Sequence, residues 1–218
     1  MMKRNNFPFS AVLGLNHAKT AILIVLVNPR AGGLLISGPR GIGKSTLMRS
    51  TQELIERPWR DIPVSVTEDR LFGTIDTEKA IYSGQKKLYP GIINEADQGV
   101  LYLDDANLLR EDLLDSILNI AEVGAYQLER DGLSLRCDTS FTVIAAINPE
   151  SGMLSGACLD QFGLFVNVDN IHDENTRVEI LKRTISFEKD CASFCNLWKL
   201  ENEKIKKAIH SAMSLLPK

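Results

Sequence analysis

Short apolar runs alternating with stretches of helical period organise this chain. "GGLLISG" (32–38) is apolar and bounded by glycines, which predicts a buried strand followed at once by a loop. From Lys44 the period changes: Leu47, Met48, Thr51, Leu54 and Ile55 fall on one helical face, and Pro58 ends the segment. "DIPVSV" (61–66) reads as a second strand and "GVLYLDD" (99–105) as a third. The third leads into a helix with Leu109, Leu113, Ile117, Ile120 and Ala121 along one face and Gly124 as its stop. "AYQLERDGLSLRC" (125–137) alternates apolar and polar residues about Asp131-Gly132, a strong hairpin signal. "FTVIAAIN" (141–148) and "LFVNV" (164–168) are further apolar strands.

Strands that are apolar throughout and alternate with helices imply an α/β fold, a parallel sheet covered on both faces. The tail is different. Val178, Leu181 and Ile185 mark one amphipathic helix, and Ile205, Ala208, Ile209, Ala212 and Leu216 mark another. The expected division is a core over residues 1–172 and a helical segment over 173–218. That segment leads toward a lid domain that is absent or barely begun where the sequence reaches "LLPK". There is no internal repeat and no low-complexity segment.

Composition narrows the function classes. A length of 218 residues suits one α/β domain with a substantial core, and 44% hydrophobic with 24% charged residues excludes wholesale disorder. A net charge of −3 leaves no basic footprint and counts against nucleic acid as the main partner. The longest apolar run, "AILIVLV" (21–27), is too short to span a bilayer, and "MMKRNNFPFS" lacks the apolar core of a signal peptide. Four scattered cysteines fit a reduced, cytoplasmic protein. Cys191 and Cys195 are spaced to share a helix face but have no companion ligands, and His17, His172 and His210 are far apart.

The chemistry concentrates in two places. "GPRGIGKS" (38–45) fits G-x-x-x-x-G-K-[ST] between a predicted strand and a predicted helix, the context that motif requires. Its glycines let backbone N–H groups turn around phosphates, aided by the positive end of the helix. The expected ATP-binding set is Gly38, Pro39, Arg40, Gly41, Ile42, Gly43, Lys44, Ser45 and Thr46. Lys44 reaches the β- and γ-phosphates, and the Ser45 hydroxyl serves Mg²⁺. Asp104, closing the third strand, either holds the Mg²⁺ shell or caps the next helix, with Asn107 as a competing cap. Asp105 is expected to activate the attacking water with a carboxylate one methylene shorter than Glu, which slows hydrolysis and spares binding. Asn148 either orients that water or contacts the γ-phosphate, or is a turn residue before Pro149.

These residues, in this order, resemble the AAA+ ATPase family, and more closely still its magnesium chelatase small-subunit (I subunit) branch. The likeness covers essentially the whole chain. It is carried by "FPFSAVLGLNHAKTAIL" (7–23), "NPRAGGLLISGPRGIGKST" (28–46), "TEDRLFGTIDTEKAI" (67–81) and "YPGIINEADQGVLYLDDANLL" (89–109). "LERDGLSLR" (128–136), "NPESGML" (148–154), "LDQFGLFVNV" (159–168) and "RVEILKRTISFEKDCASFCNLW" (177–198) extend it. The resemblance implies a five-stranded sheet of order 5-1-4-3-2, with insertions over 68–89 and at the Asp131-Gly132 hairpin. It implies hexameric rings, homo- or hetero-oligomeric, with the nucleotide between subunits. The implied partners are a D-type ATPase-like subunit with an integrin-type metal site and a large porphyrin-binding subunit. The implied role is to couple ATP hydrolysis to magnesium insertion into protoporphyrin IX.

Three departures stand out. Asp105 replaces the family's Glu, and Gln161 in "CLDQFG" replaces the arginine finger, worth roughly 10³–10⁵ in rate. The family's helical lid and its arginine fall beyond Lys218, and the segment before "DIPVSV" is shorter than usual. The expectation is Mg-ATP binding with weak turnover. The alternatives are a non-hydrolysing structural subunit of a ring, and a chelatase-like protein acting on other protein clients.

Overall fold

Alternate residues of the central strands enter two separate apolar layers, as the two-residue period of a strand demands. The computed structural model describes residues 6–75, 88–130 and 133–216. Its main sheet contains β1 (Leu34–Ser37), β2 (Trp59–Ile62), β5 (Gly99–Leu103), β8 (Phe141–Ile147) and β9 (Leu164–Asn167). All of its pairings are parallel, in the spatial order β2-β5-β8-β1-β9. Counting these five strands alone, that is the expected 5-1-4-3-2. Short antiparallel pairs form from β3 (Gly73–Ile75) with β4 (Leu88–Pro90), and from β6 (Ala125–Arg130) with β7 (Leu133–Asp138). The Asp131-Gly132 turn and most of the 68–89 insertion lie outside the described residues.

Leu35, Leu101, Leu103, Val143, Ala145 and Ile147 point to one side of the sheet. There they meet α3 (Glu68–Phe72), α4 (Ile92–Glu95), α5 (Glu111–Val123) and α6 (Gly156–Asp160), chiefly through Leu113, Leu114 and Ile117. Leu34, Ile36, Val100, Tyr102, Ile144 and Ala146 point the other way, against α1 (Asn16–Val27) and α2 (Lys44–Thr51). Gly124 ends α5 in a left-handed conformation (φ 77°), the stop expected of it.

α7 (Glu174–Lys189) and α8 (Cys191–Leu215) follow the last sheet strand. Ile209 of α8 is buried beside α1, and Asn202 accepts the Ser10 N–H at 2.9 Å. Phe7 sits 5.2 and 5.3 Å from the rings of Phe187 and Phe194 and so fastens the N-terminal segment to both helices.

Three local expectations are corrected. The second strand begins at Trp59 and ends before Pro63, whose missing N–H stops the ladder; residues 63–66 turn away. The helix after the phosphate loop is α-helical only to Thr51, then tightens to a 3₁₀ turn over Gln52–Leu54. Val178, Leu181 and Ile185 do lie on a helix, but that stripe faces outward, at 49, 61 and 62% exposure. The opposite side of α7, with Ile180 and Phe187, is the one turned toward the N-terminal segment.

Candidate nucleotide site

The loop between β1 and α2 is shaped by its glycines and anchored to the sheet. The Gly38 N–H donates to the Ile147 carbonyl at 3.2 Å, fixing the loop's start to β8. Gly41 and Gly43 adopt φ of 80° and 97°, where a side chain would be strained. A Cβ on Gly41 would meet nothing within 4 Å, so the loop faces open space there. Gly43 precedes α2 without a side-chain cap, which leaves the first-turn N–H groups facing the loop as an anion cradle.

Lys44 is buried, and its ammonium donates to the Gly38 and Pro39 carbonyls at 2.5 and 2.9 Å. Burial pulls its pKa down from the ordinary lysine value; Asp105 and Asp104 oppose that shift, and Arg40 adds to it. Ser45, next in α2, donates its hydroxyl to Asp104 Oδ2 at 2.9 Å. Thus the two oxygen-bearing arms expected for Mg²⁺ converge, one from α2 and one from the end of β5. Hard oxygen donors of this kind fit a magnesium ion held with its own waters. The uncapped helix, the open glycine cradle and this oxygen pair together fit Mg-ATP.

Asp105 follows with φ 51°, a left-handed conformation for a non-glycine residue, and its carboxylate lies 3.7 Å from the Arg40 guanidinium. Neither acid caps the next turn through its side chain, and Asn107 does not either. Instead the Asn107 amide donates to the carbonyls of Asn148 and Gly152 at 3.2 and 2.9 Å, joining the acidic segment to the loop after β8.

Asn148 is placed between the two nucleotide-binding strands, yet its amide is engaged in its own turn. Its Oδ1 accepts the Glu150 N–H and its Nδ2 donates to the Ser151 hydroxyl, both at 3.2 Å. The geometry is that of the turn residue before Pro149. Gln161 is apart from all of these, exposed at the end of α6, with its amide 3.5 Å from the Ala157 carbonyl.

A cavity of about 1360 Å³ opens beside the loop, bordered by Gly41–Gly43, Thr46, Val12, Leu13 and Ile180. Its size and partly apolar wall suit a nucleoside next to the phosphate cradle. Sequence reasoning missed this wall. The available signal was "AVLG" just ahead of the first helix, but apolar base contacts carry no fixed spacing from the loop.

With this geometry in view, comparison with known proteins is decisive. The AAA domain (dynein-related subfamily) matches residues 33–161. The magnesium-chelatase 38 kDa subunit of Rhodobacter capsulatus is 35% identical, over 97% of this chain and 70% of its own length. This chain belongs to the AAA family, in its magnesium-chelatase 38 kDa subunit group. The magnesium-chelatase subunit ChlI of Synechocystis is 32% identical over 99% of the chain and 71% of its own length. A cryo-EM structure described as the complex between subunits BchI and BchD of magnesium chelatase superposes with a TM-score of 0.72 at 35% identity. That match covers 98% of this chain and 77% of the other. The Rhodobacter alignment runs over 245 positions against 218 residues here, so the relative carries insertions. Among the described residues no helix is long and apolar enough to cross a membrane, and no cluster of His, Cys, Asp and Glu could hold a further metal.

Proposed function

We propose that this AAA ATPase binds Mg-ATP at the β1–α2 loop and acts in a ring of AAA+ subunits, homo- or hetero-hexameric. There it engages D-type and large porphyrin-binding chelatase partners during magnesium insertion into protoporphyrin IX, with turnover slowed by Asp105 and Gln161. The observation that carries this reading is the convergence of Lys44, Ser45 and Asp104 on one uncapped helix end, with Asp105 drawn toward Arg40. Residues 1–172 are the ATPase core in this reading, and 173–218 lead toward the lid.

The loop amides would take the phosphate oxygens, and Lys44, already placed by two carbonyls, would exchange one of them for the β- or γ-phosphate. Ser45 and Asp104 would hold Mg²⁺, which supplies charge neutralisation on the transferring phosphoryl group. Asp105 would take the proton of the attacking water. Its short side chain leaves it less well placed than Glu, and positioning is most of what the protein contributes to this chemistry. Gln161 cannot supply the charge of an arginine finger to a neighbouring site.

The Arg40–Asp105 contact also favours a second reading, in which the chain binds ATP as a structural subunit and never hydrolyses it. One experiment separates them: ATP binding by calorimetry, and phosphate release for the wild type and the Asp105→Glu/Gln161→Arg double variant, each alone and mixed with an active chelatase I-type subunit. Binding with little turnover, and at least a tenfold gain for the double variant in the mixture, supports the first. No gain under any condition supports the second, and no Mg-ATP binding defeats both.

A further inference from the structure

One polar group beside the metal-binding pair is not accounted for by the site as described. Tyr102 precedes Asp104 by two residues along the β5 direction, so its ring stands on the same sheet face and enters the layer of Leu47 and Met48 under α2. It is 4% exposed, with its ring 5.9 Å from that of Trp59. Its hydroxyl is fully buried with no partner in hydrogen-bond geometry, and the Asp104 carboxylate and the Ser45 hydroxyl are side-chain groups close enough to act on it. A buried hydroxyl without a partner is costly, and phenylalanine would fill the same space without that cost.

The matching vacancy is on Asp104. A carboxylate offers about four acceptor positions. Among the described residues Asp104 accepts one hydrogen bond, from Ser45. A donor lacking an acceptor thus lies beside an acceptor with capacity to spare. Outer partners of this kind orient a ligating carboxylate, and their loss typically weakens metal binding about 10–100-fold.

We propose that Tyr102 is a positioning residue for the metal-binding carboxylate: its O–H donates to Asp104 and holds that carboxylate in place when Ser45 turns its oxygen toward Mg²⁺. The role rests on the Mg-ATP reading above. It assigns Tyr102 no contact with nucleotide, so its effect belongs to the metal-dependent part of binding alone.

The test is Tyr102→Phe in the full chain, with ATP affinity measured in EDTA and in Mg²⁺ and thermal melts run with and without ligand. The expected result has opposite signs in the two states. Without ligand the variant melts at or above the wild-type temperature, because an unpartnered hydroxyl has been removed. ATP affinity in EDTA stays within about twofold, while the enhancement of affinity by Mg²⁺ falls about tenfold. Full retention of the Mg²⁺ enhancement would overturn the proposal. So would a lower ligand-free melting temperature with equal losses in EDTA and Mg²⁺, since that marks a purely structural hydroxyl. A wild-type protein that binds no Mg-ATP would instead defeat the nucleotide reading, and this inference with it.

Discussion

Arg40 and Asp105 face each other at the mouth of the phosphate loop, guanidinium to carboxylate at 3.7 Å, with side chains 65 and 34% exposed. That separation is longer than a hydrogen bond, and both groups meet solvent, so the pair contributes little to folding, less than about 1 kcal/mol. What the contact describes is direction: the Asp105 carboxylate lies toward Arg40.

Asp105→Asn tests that division. Urea unfolding is expected to change by less than about 1 kcal/mol, and ATP affinity by no more than a few-fold. Residual phosphate release should fall at least tenfold, because the amide cannot take a proton from water. A large loss of stability would show that the contact is structural.

Two glycines of one loop should fail in different ways. A Cβ on Gly38 would come within 2.5 Å of the Val168 carbonyl oxygen, so Gly38→Ala is expected to destabilise the fold by about 1–3 kcal/mol. Gly41 has open space around it but φ 80°, so Gly41→Ala should cost about 1–2 kcal/mol of backbone strain. The added methyl borders the cavity, and ATP affinity should drop at least tenfold by calorimetry. Thermal melts will rank the two against each other.

Lys44 gives a pH signature with a definite sign. Its folded-state pKa lies below 10.5, chiefly through burial. Between that lowered value and 10.5 the unfolded chain holds the extra proton, so this residue's contribution to stability rises with pH across the window. Nucleotide binding needs the charged amine and moves the other way. ATP affinity should decline with rising pH from a point below the ordinary lysine value, and Lys44→Met should abolish both binding and that pH dependence.

Apolar residues on α1 and α7 should respond very unequally to substitution. Ile22 is 0% exposed and Ile22→Ala is expected to cost about 2–5 kcal/mol. Leu181 is 61% exposed, and Leu181→Gln should leave the unfolding free energy of the isolated chain in urea within about 0.5 kcal/mol. Equal losses at the two positions would mean that α7 is covered in solution.

Much of this was legible in the residues. The apolar runs at 32–38, 99–105 and 141–148 found three buried strands, because residues buried on both faces leave a continuous hydrophobic signal. The position of the glycine loop between strand and helix, and of Asp104 at the end of β5, was legible because the motif ties residue type to spacing. Trp59–Ile62 starts two residues before and ends four residues before the expected 61–66: it is an edge strand whose Arg60 and Asp61 are exposed, so its pattern is weak. The Val178 stripe was read correctly as periodic, but periodicity does not say whether anything packs against the face it marks. A strand-end asparagine before proline suits both a turn and a water-positioning role, and the Asn148 hydrogen bonds to Glu150 and Ser151 show the turn.

The strand β8, seven buried residues long, lies between β1 and β5, pairing with β5 over Phe141–Ala145 and with β1 over Ile144–Ile147. Hydrogen-bonded neighbours in a sheet keep a spacing of roughly 4.8 Å, so the strands that lead into the glycine loop and the Asp104-Asp105 pair are mounted about two such steps apart on a lattice that barely stretches. Adjustment of reach then falls to the appendages. Each carbon added to or removed from an acid at 105 is a coarse, discrete change of gauge that the frame does not take up by shifting.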